Sequence, residues 1–428
     1  MKIIKYPSIE DAYKSLKRPV YEMESIQQKI IPILNSVKQA GDKALIELTS
    51  KFDKVELEQL RVQESEIEES DKFVSSDFKN AIEVAKQNIY KFHSSQILDI
   101  KKIEIDEGIT CWRKSVPIEK VGLYIPGGSV PLFSTLIMLG VPAKIAESKE
   151  IIVCTPPQSD GKIAPQILYA AKSLGITKVF KVGGAQAIAA MAYGTKTIPK
   201  VDKIFGPGNQ WVTAAKQIVN SNGTAIDIPA GPSEVLVIAD DSADPRFAAA
   251  DLLSQAEHGV DSHVVLISTS EFLINSVKTE IDNFRNRLSR NNIIEKSLQH
   301  SAAILVKDLD EAITISNNYA PEHLILSVNN PEEIAEKVTS AGSVFLGNYS
   351  PESAGDYASG TNHTLPTNGF AAAYSGVSLD SFMKTITFQK LSKNGLSKLS
   401  KTIEVMAEAE GLDAHKLAVT IRVENRNG

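Results

Sequence analysis

The chain has 428 residues, 43% hydrophobic, 23% charged and 6% aromatic: too long for one ordinary core, and balanced like a globular α/β enzyme with room for a desolvated site. A formal net charge of −6, with acidic and basic residues interspersed, excludes the basic face that a phosphate-backbone binder needs, so no nucleic acid partner is expected. The start, Met1-Lys2-Ile3-Ile4-Lys5-Tyr6-Pro7, lacks the apolar stretch of a signal peptide, and no apolar run is long enough to span a bilayer, so the expectation is a cytoplasmic protein without a membrane partner.

In chain order, the N-terminal part reads as helical. Ile26, Ile30, Ile33, Leu34 and Val37 form one apolar stripe, and Phe78, Ile82, Ala85, Ile89 and Phe92 form another, with Gly41-Asp42 breaking the chain before a helix bearing Ala44, Leu45, Leu48 and Phe52. From about Lys120 short apolar runs alternate with helical stretches. Strands are expected at 121–125, 151–154, 179–182 and 235–239, with helices near 133–139, 164–174, 186–193 and 210–219. A second series has strands at 264–268, 303–306, 324–327 and 343–346 and helices near 246–257, 272–288 and 332–338. This alternation argues for two α/β units in tandem, each a mostly parallel sheet covered on both faces. After Asn368 the chain turns Gly/Ala/Ser-rich and then helical, a segment too small to fold alone. The two cysteines, Cys111 and Cys154, are too far apart for a zinc knuckle and read as structural thiols.

Several stretches carry chemistry-bearing side chains. In Asp251-Leu-Leu-Ser-Gln255-Ala-Glu257-His258-Gly259, Pro245 opens the helix and Gly259 ends it, so Gln255 and His258 share its last turn at i, i+3. They suit half of a metal site, and equally a histidine stabilised by the helix C-terminal dipole. In Ala320-Pro321-Glu322-His323-Leu324 an acid and an imidazole stand at a strand's mouth as general-base candidates, and they serve one site only if the turn re-aims one of them. The stretch 347–367 reads as a long Gly/Ser/Asn-rich loop in which Asp356 could complete a metal site and His363 could bind an anionic group. Glu410 and His415 by themselves are surface residues of a helical tail. The turns Tyr124-Ile125-Pro126-Gly127-Gly128, Gly183-Gly184-Ala185-Gln186 and Gly206-Pro207-Gly208-Asn209 suit phosphate binding through backbone N–H groups, yet none is the G-x-G-x-x-G fingerprint.

Taken together, the segments 121–128, 183–195, 206–209, 230–240, 251–259, 320–323, 356–367 and 410–415 resemble the histidinol dehydrogenase family, in its order and spacing over nearly the whole chain. The resemblance implies two tandem three-layer α/β domains with incomplete Rossmann-like parallel sheets and a small helical N/C-terminal extension. Their expected borders are an N-terminal arm (1–20), a discontinuous zinc-bearing and catalytic domain (21–118 and 234–376), a nucleotide-binding domain (119–233) and a helical dimerisation segment (377–428). It implies one Zn2+ per subunit on Gln255, His258, Asp356 and His415, residues that also face the substrate together with Ser233, His323, His363 and Glu410. Tyr124, Gln186 and Asn209 would line the NAD+ site, and Glu322 and His323 would be the catalytic pair.

The implied reaction oxidises L-histidinol to L-histidine through L-histidinaldehyde, using two NAD+, in a homodimer whose C-terminal segments complete each other's sites. The alternatives are a related zinc/NAD dehydrogenase acting on another amino or sulfonated alcohol, a zinc hydrolase and a non-catalytic metal-binding protein. The chain departs from the family's usual residues at Val260 and His263 (more often Pro and Gln), at Glu147, and at Leu132-Phe133. With His93 and His300, His263 has no implied role and reads as structural or surface.

Overall fold

Each strand expected in the two α/β series is present, displaced by at most one residue at either end. In the computed structural model, which describes residues 1–18, 23–127, 131–228 and 231–424, the strands are β1 (Lys2–Lys5), β2 (Lys102–Asp106), β3 (Ile109–Pro117), β4 (Lys120–Tyr124), β5 (Glu150–Thr155), β6 (Val179–Lys181), β7 (Lys203–Phe205), β8 (Ala225–Ile226), β9 (Glu234–Ala239), β10 (His263–Ser268), β11 (Ala302–Leu305), β12 (His323–Ser327), β13 (Ser343–Leu346) and β14 (Met383–Leu391). Gly128 of the first glycine turn, Ala230 of the segment 230–240, the border at residue 20/21 and the last residues of the tail lie outside the described residues.

Two sheets are parallel throughout: a six-stranded one ordered β1-β11-β10-β9-β12-β13 and a five-stranded one ordered β6-β5-β4-β7-β8. Sheets covered on both faces need near-continuous apolar strands, and β9 and β10 are buried at every position. Residues 1–18 dock on the first sheet: β1 pairs with β11 at its edge, and the helix Ile9–Ser15 buries Ala12 in that sheet's core beside Ile313 and Tyr319.

Two borders differ from expectation. Of the helices in 23–94, Met23–Ala40 and Asp42–Asp53 pack on the five-stranded sheet, because the stripe Ile26, Ile30, Leu34 and Val37 closes over Ile188, Met191, Val212 and Val219 in one core, whereas Ser76–Ser94 also meets 234–376, Asn88 Nδ2 donating to the Ala358 carbonyl at 2.9 Å. Phe78 of the helix Ser76–Ser94 stands edge-on to Phe133, with centroids 4.8 Å apart. Residues Ile97–Pro117 leave the 21–118 stretch altogether. β3 pairs antiparallel with β14 over its whole length and with β2, so these strands and the chain from Met383 onward form a separate compact unit. That unit adds the helices Lys393–Ala409 and Asp413–Val423 to a three-stranded antiparallel sheet, where helix alone was expected. Among the described residues no helix is long and apolar enough to cross a membrane.

His263 is a buried bridge. Its Nδ1 lies 2.7 Å from the Tyr319 hydroxyl and its Nε2 2.9 Å from the His300 carbonyl, so the neutral ring accepts from the phenol and donates to the carbonyl. Burial pulls its pKa down to about 4, against 6.5 when exposed. The unfolded chain therefore binds the extra proton first, and stability falls as pH drops from 6.5 towards 4. His263→Gln removes the titration and is expected to recover about 2 kcal/mol at pH 5 relative to pH 7.5. Chemical denaturation of both proteins at the two pH values checks this; an equal acid penalty in the variant contradicts it.

Candidate active site

Glu322 and His323 are placed by a change of backbone direction. The helix Leu309–Tyr319 ends on Ala320, which takes the left-handed conformation (φ 50°), and Pro321 cannot extend the helix. β12 begins immediately at His323. The turn lets neighbouring side chains converge: Glu322 Oε2 lies 3.7 Å from His323 Nδ1. Both side chains are buried. The backbone of Glu234 on adjacent β9 meets both, its N–H donating to Glu322 Oε2 at 2.8 Å and its carbonyl oxygen lying 3.0 Å from His323 Nδ1.

The other face of the imidazole meets two more elements. Asp244 caps the helix Pro245–Ala256, accepting from the Arg246 N–H, and Pro245 opens it. The helix ends at Ala256, so only Gln255 is in its last turn. His258 lies beyond it, tied back by its N–H to the Gln255 carbonyl at 3.2 Å. Gln255 Nε2 lies 2.8 Å from His323 Nδ1 and donates to Glu352 Oε2 at 3.3 Å. The expected long loop contains a short helix, Glu352–Tyr357, in which Glu352 and Asp356 are one turn apart on one face. Asp356 Oδ1 lies 3.3 Å from His323 Nε2, without the alignment of a hydrogen bond. His258 Nδ1 is 3.4 Å from Ser233 Oγ, and His363 sits between the Asp356 carbonyl (2.9 Å) and Thr135 Oγ1 (3.2 Å).

Electrostatics follow from this crowding. Burial pushes the Glu322 and Glu352 carboxyls each up to about 8. Burial also works on Asp356, but His323, His363 and His258 outweigh it and hold its carboxyl below the usual range. Burial lowers His258 and His363; on His323 it is overcome by the surrounding carboxyls, Glu322 foremost, which raise the imidazole. Buried polar atoms without a hydrogen-bond partner include Gln255 Oε1, His323 Nε2 and Asp356 Oδ1, all at this one place. Orphaned acceptors gathered around carboxylate, amide and imidazole suit a borderline cation such as zinc. Among the described residues no three His, Cys, Asp or Glu side chains are grouped to hold a metal alone, so an amide oxygen and a ligand from elsewhere would be needed. Glu410 and His415 belong to the separate compact unit, exposed at the end of Lys393–Ala409 and on Asp413–Val423.

A second feature lies at the carboxyl ends of β4 and β5, where open α/β sheets bind ligands. A cavity of about 840 Å³ is lined by Tyr124, Gln186, Asn209, Trp211, Phe52 and Lys29, among others. The Gly184 N–H donates to the Tyr124 hydroxyl at 3.1 Å, and burial pushes that phenol up to about 12. Asn209 caps the helix Gln210–Ser221 by accepting from the Trp211 and Val212 N–H groups. Gly206 permits this approach: at φ +125° its absent Cβ would fall 2.0 Å from the Tyr124 carbonyl oxygen. None of Glu322, His323, Gln255 or His258 lines the cavity. Sequence reasoning assigned no role to Glu352, although its i, i+4 spacing from Asp356 was readable. It also missed Trp211, Lys29 and Phe52, whose apolar or helical setting carries no ligand signal.

A model of the family described as histidinol dehydrogenase matches residues 16–423. The chain is 58% identical over 424 residues to a histidinol dehydrogenase of Bacteroides fragilis and 59% identical over 423 residues to one of Bacteroides thetaiotaomicron, covering 99% of each chain in both pairs. It superposes on the crystal structure of histidinol dehydrogenase from Elizabethkingia anophelis with a TM-score of 0.98 and 53% identity, covering 100% of this chain and 99% of that one.

Trp112 and Trp211 are the only tryptophans, and only Trp211 lines the cavity. NAD+ is expected to quench the emission of a Trp112→Phe variant saturably and to leave that of Trp211→Phe nearly unchanged; the reverse pattern in a fluorescence titration places the nucleotide elsewhere.

Proposed function

The chain belongs to the histidinol dehydrogenase family, and from that premise we propose that Glu322 and His323 carry out a zinc-dependent, four-electron oxidation of L-histidinol to L-histidine. It is an NAD-dependent oxidoreductase of histidine biosynthesis. The observation that carries the proposed site is the gathering of partnerless Gln255 Oε1, His323 Nε2 and Asp356 Oδ1 around one buried imidazole. In this reading Gln255, His258 and Asp356 hold zinc with the partner subunit's His415, and the six-stranded sheet that carries Glu322 and His323 works beside the five-stranded, nucleotide-binding one. Zinc when bound orients the substrate's nitrogens, and NAD+ when bound accepts each hydride.

The chain's own groups handle the protons. His323 Nε2, which has no aligned hydrogen bond although Asp356 Oδ1 lies 3.3 Å away, takes the proton of the alcohol in the first oxidation. Glu322, with a carboxyl tuned to about 8, takes a proton from water as it adds to the aldehyde. His323 serves again for the hydrate's hydroxyl in the second oxidation. Ser233 and His363 flank the space beside His258 and Asp356 and contact the substrate, with Glu410 at its imidazole end. At the other site Tyr124, Gln186 and Asn209 receive NAD+: the N-terminus of the helix Gly184–Tyr193 faces its phosphates, and Trp211 and Phe52 offer flat apolar walls.

The test is absorbance of reduced cofactor with L-histidinol and NAD+, before and after a chelator. Turnover abolished by chelation and restored by zinc is expected; reduction only with another amino alcohol overturns the substrate, and chelator-insensitive turnover overturns the metal. His323→Gln should keep its zinc and lose turnover by a factor on the order of hundreds to thousands. His258→Asn and His415→Asn should each lose bound zinc and activity together, measured by metal analysis, and normal zinc in either variant removes that residue from the ligand set.

A further inference from the structure

We propose that Arg18 and Glu234 are positioning residues for the Glu322–His323 pair, with the N-terminal segment acting as a clamp on the catalytic turn. This rests on the reading of Glu322 and His323 as the proton-handling groups.

The two peptide groups that meet these residues belong to Glu234: its N–H holds Glu322 Oε2 and its carbonyl oxygen faces His323 Nδ1. The backbone placement of this one residue therefore sets the direction of both catalytic side chains. Both backbone groups are anchored through the residue's own side chain, which is almost wholly buried. The Glu234 carboxylate is fully used. Oε1 accepts from Arg18 Nε and from the Asn368 N–H (3.0 Å), and Oε2 accepts from Arg18 Nη2 (2.8 Å), a bidentate fork with fixed geometry.

Arg18 simultaneously holds the other side of the catalytic turn. Its Nη2 donates to the Tyr319 carbonyl at 2.8 Å and reaches the Ala320 carbonyl at 3.4 Å, the last residues before Pro321-Glu322-His323. Its guanidinium also lies 3.8 Å from the centroid of the Tyr319 ring, whose hydroxyl is held by His263. One planar cation thus ties β9 to the left-handed turn that aims Glu322 and His323. Lysine, a point charge with no fork or stacking plane, cannot make all of these contacts together.

The clamp also bears on which nitrogen of His323 carries a proton. A carbonyl oxygen only accepts, so Nδ1–H points to Glu234, whereas Gln255 Nε2 only donates and favours a bare Nδ1. Holding the Glu234 carbonyl in place keeps a proton on Nδ1, so the proton that His323 takes up and gives back is the one on Nε2.

The experiment compares Arg18→Lys, Arg18→Met, Glu234→Gln and His323→Gln in the full-length zinc-loaded protein, with kcat, KM for L-histidinol, zinc content, and the 15N spectrum of labelled histidines, His323 being assigned by its loss in His323→Gln. Arg18→Met is expected to lower kcat on the order of ten- to a hundredfold, with KM and zinc content nearly unchanged, Arg18→Lys falling between it and wild type. The His323 Nδ1–H resonance should weaken or shift in the same order. If Arg18→Met does not fold, Glu234→Gln, which keeps the shape and the peptide but loses the charged fork, must reproduce the kcat loss and the resonance change. Arg18 and Glu234 variants with wild-type kcat beside an inactive His323→Gln overturn the clamp alone. Parallel loss of zinc, KM and kcat with an unmoved resonance also overturns it, as a plain stability effect. A His323→Gln variant that keeps its turnover overturns the base assignment, and the proposal with it.

Discussion

The carboxyl groups of Glu322, Glu352 and Asp356 are withdrawn from water around the imidazole of His323, and the rest of the site answers to that concentration of charge. An unpaired ion in a protein interior costs on the order of several kcal/mol after relaxation, so such a cluster persists only with protons, dipoles or a cation to offset it. Each carboxyl has its own relief. Glu322 takes a peptide N–H from Glu234, Glu352 takes the Ser254 hydroxyl and the Gln255 amide, and Asp356 is left facing imidazoles. The atoms without relief, Gln255 Oε1, His323 Nε2 and Asp356 Oδ1, are where the proposed zinc supplies the missing charge.

The six-stranded sheet makes this arrangement rigid. β9 lies between β10 and β12, buried along its length, and its first residue touches both members of the proposed catalytic pair. A site built where β9 and β12 begin and the helix Pro245–Ala256 ends has few soft degrees of freedom, which suits groups that must meet a reacting atom repeatedly through the two proposed oxidations. The five-stranded sheet carries the other requirement. Its cavity combines a helix N-terminus with aromatic and proline walls, and the third glycine turn is anchored by the buried Lys216–Asp227 pair, in which Lys216 also donates to the Gly206 carbonyl.

Most of the two parallel sheets was legible because buried parallel strands are short apolar runs, such as Val264–Ile267; the edge strands β1 and β8 and the three-residue β7 were not among the expected strands. The antiparallel β2 and β3 were not legible either. Lys102-Ile-Glu-Ile-Asp106 does alternate polar and apolar residues, but it is exposed at every position, and in β3 and β14 Trp112 and Phe388 stack on each other, so no buried face matches the alternation. The helix Leu309–Tyr319 went unread because Asn317 and Asn318 blur its polar face, although Asp308 caps it. At the site, the histidines and acids were visible as residue types, and the family resemblance supplied their roles. The contribution of Arg18 was invisible, since a lone arginine after a short helix has no sequence signal, and it matters only through a glutamate 216 positions away.

The central claim is that one cation joins side chains from separate elements beside His323. Anomalous scattering at the zinc edge, from crystals of the zinc-loaded protein, tests it most directly. The account predicts a single strong peak per subunit, about 2.0–2.2 Å from Gln255 Oε1, Asp356 Oδ1 and a His258 nitrogen, with the partner subunit's His415 completing the shell. A metal peak bonded to other residues, or none within reach of Gln255 and Asp356, contradicts it.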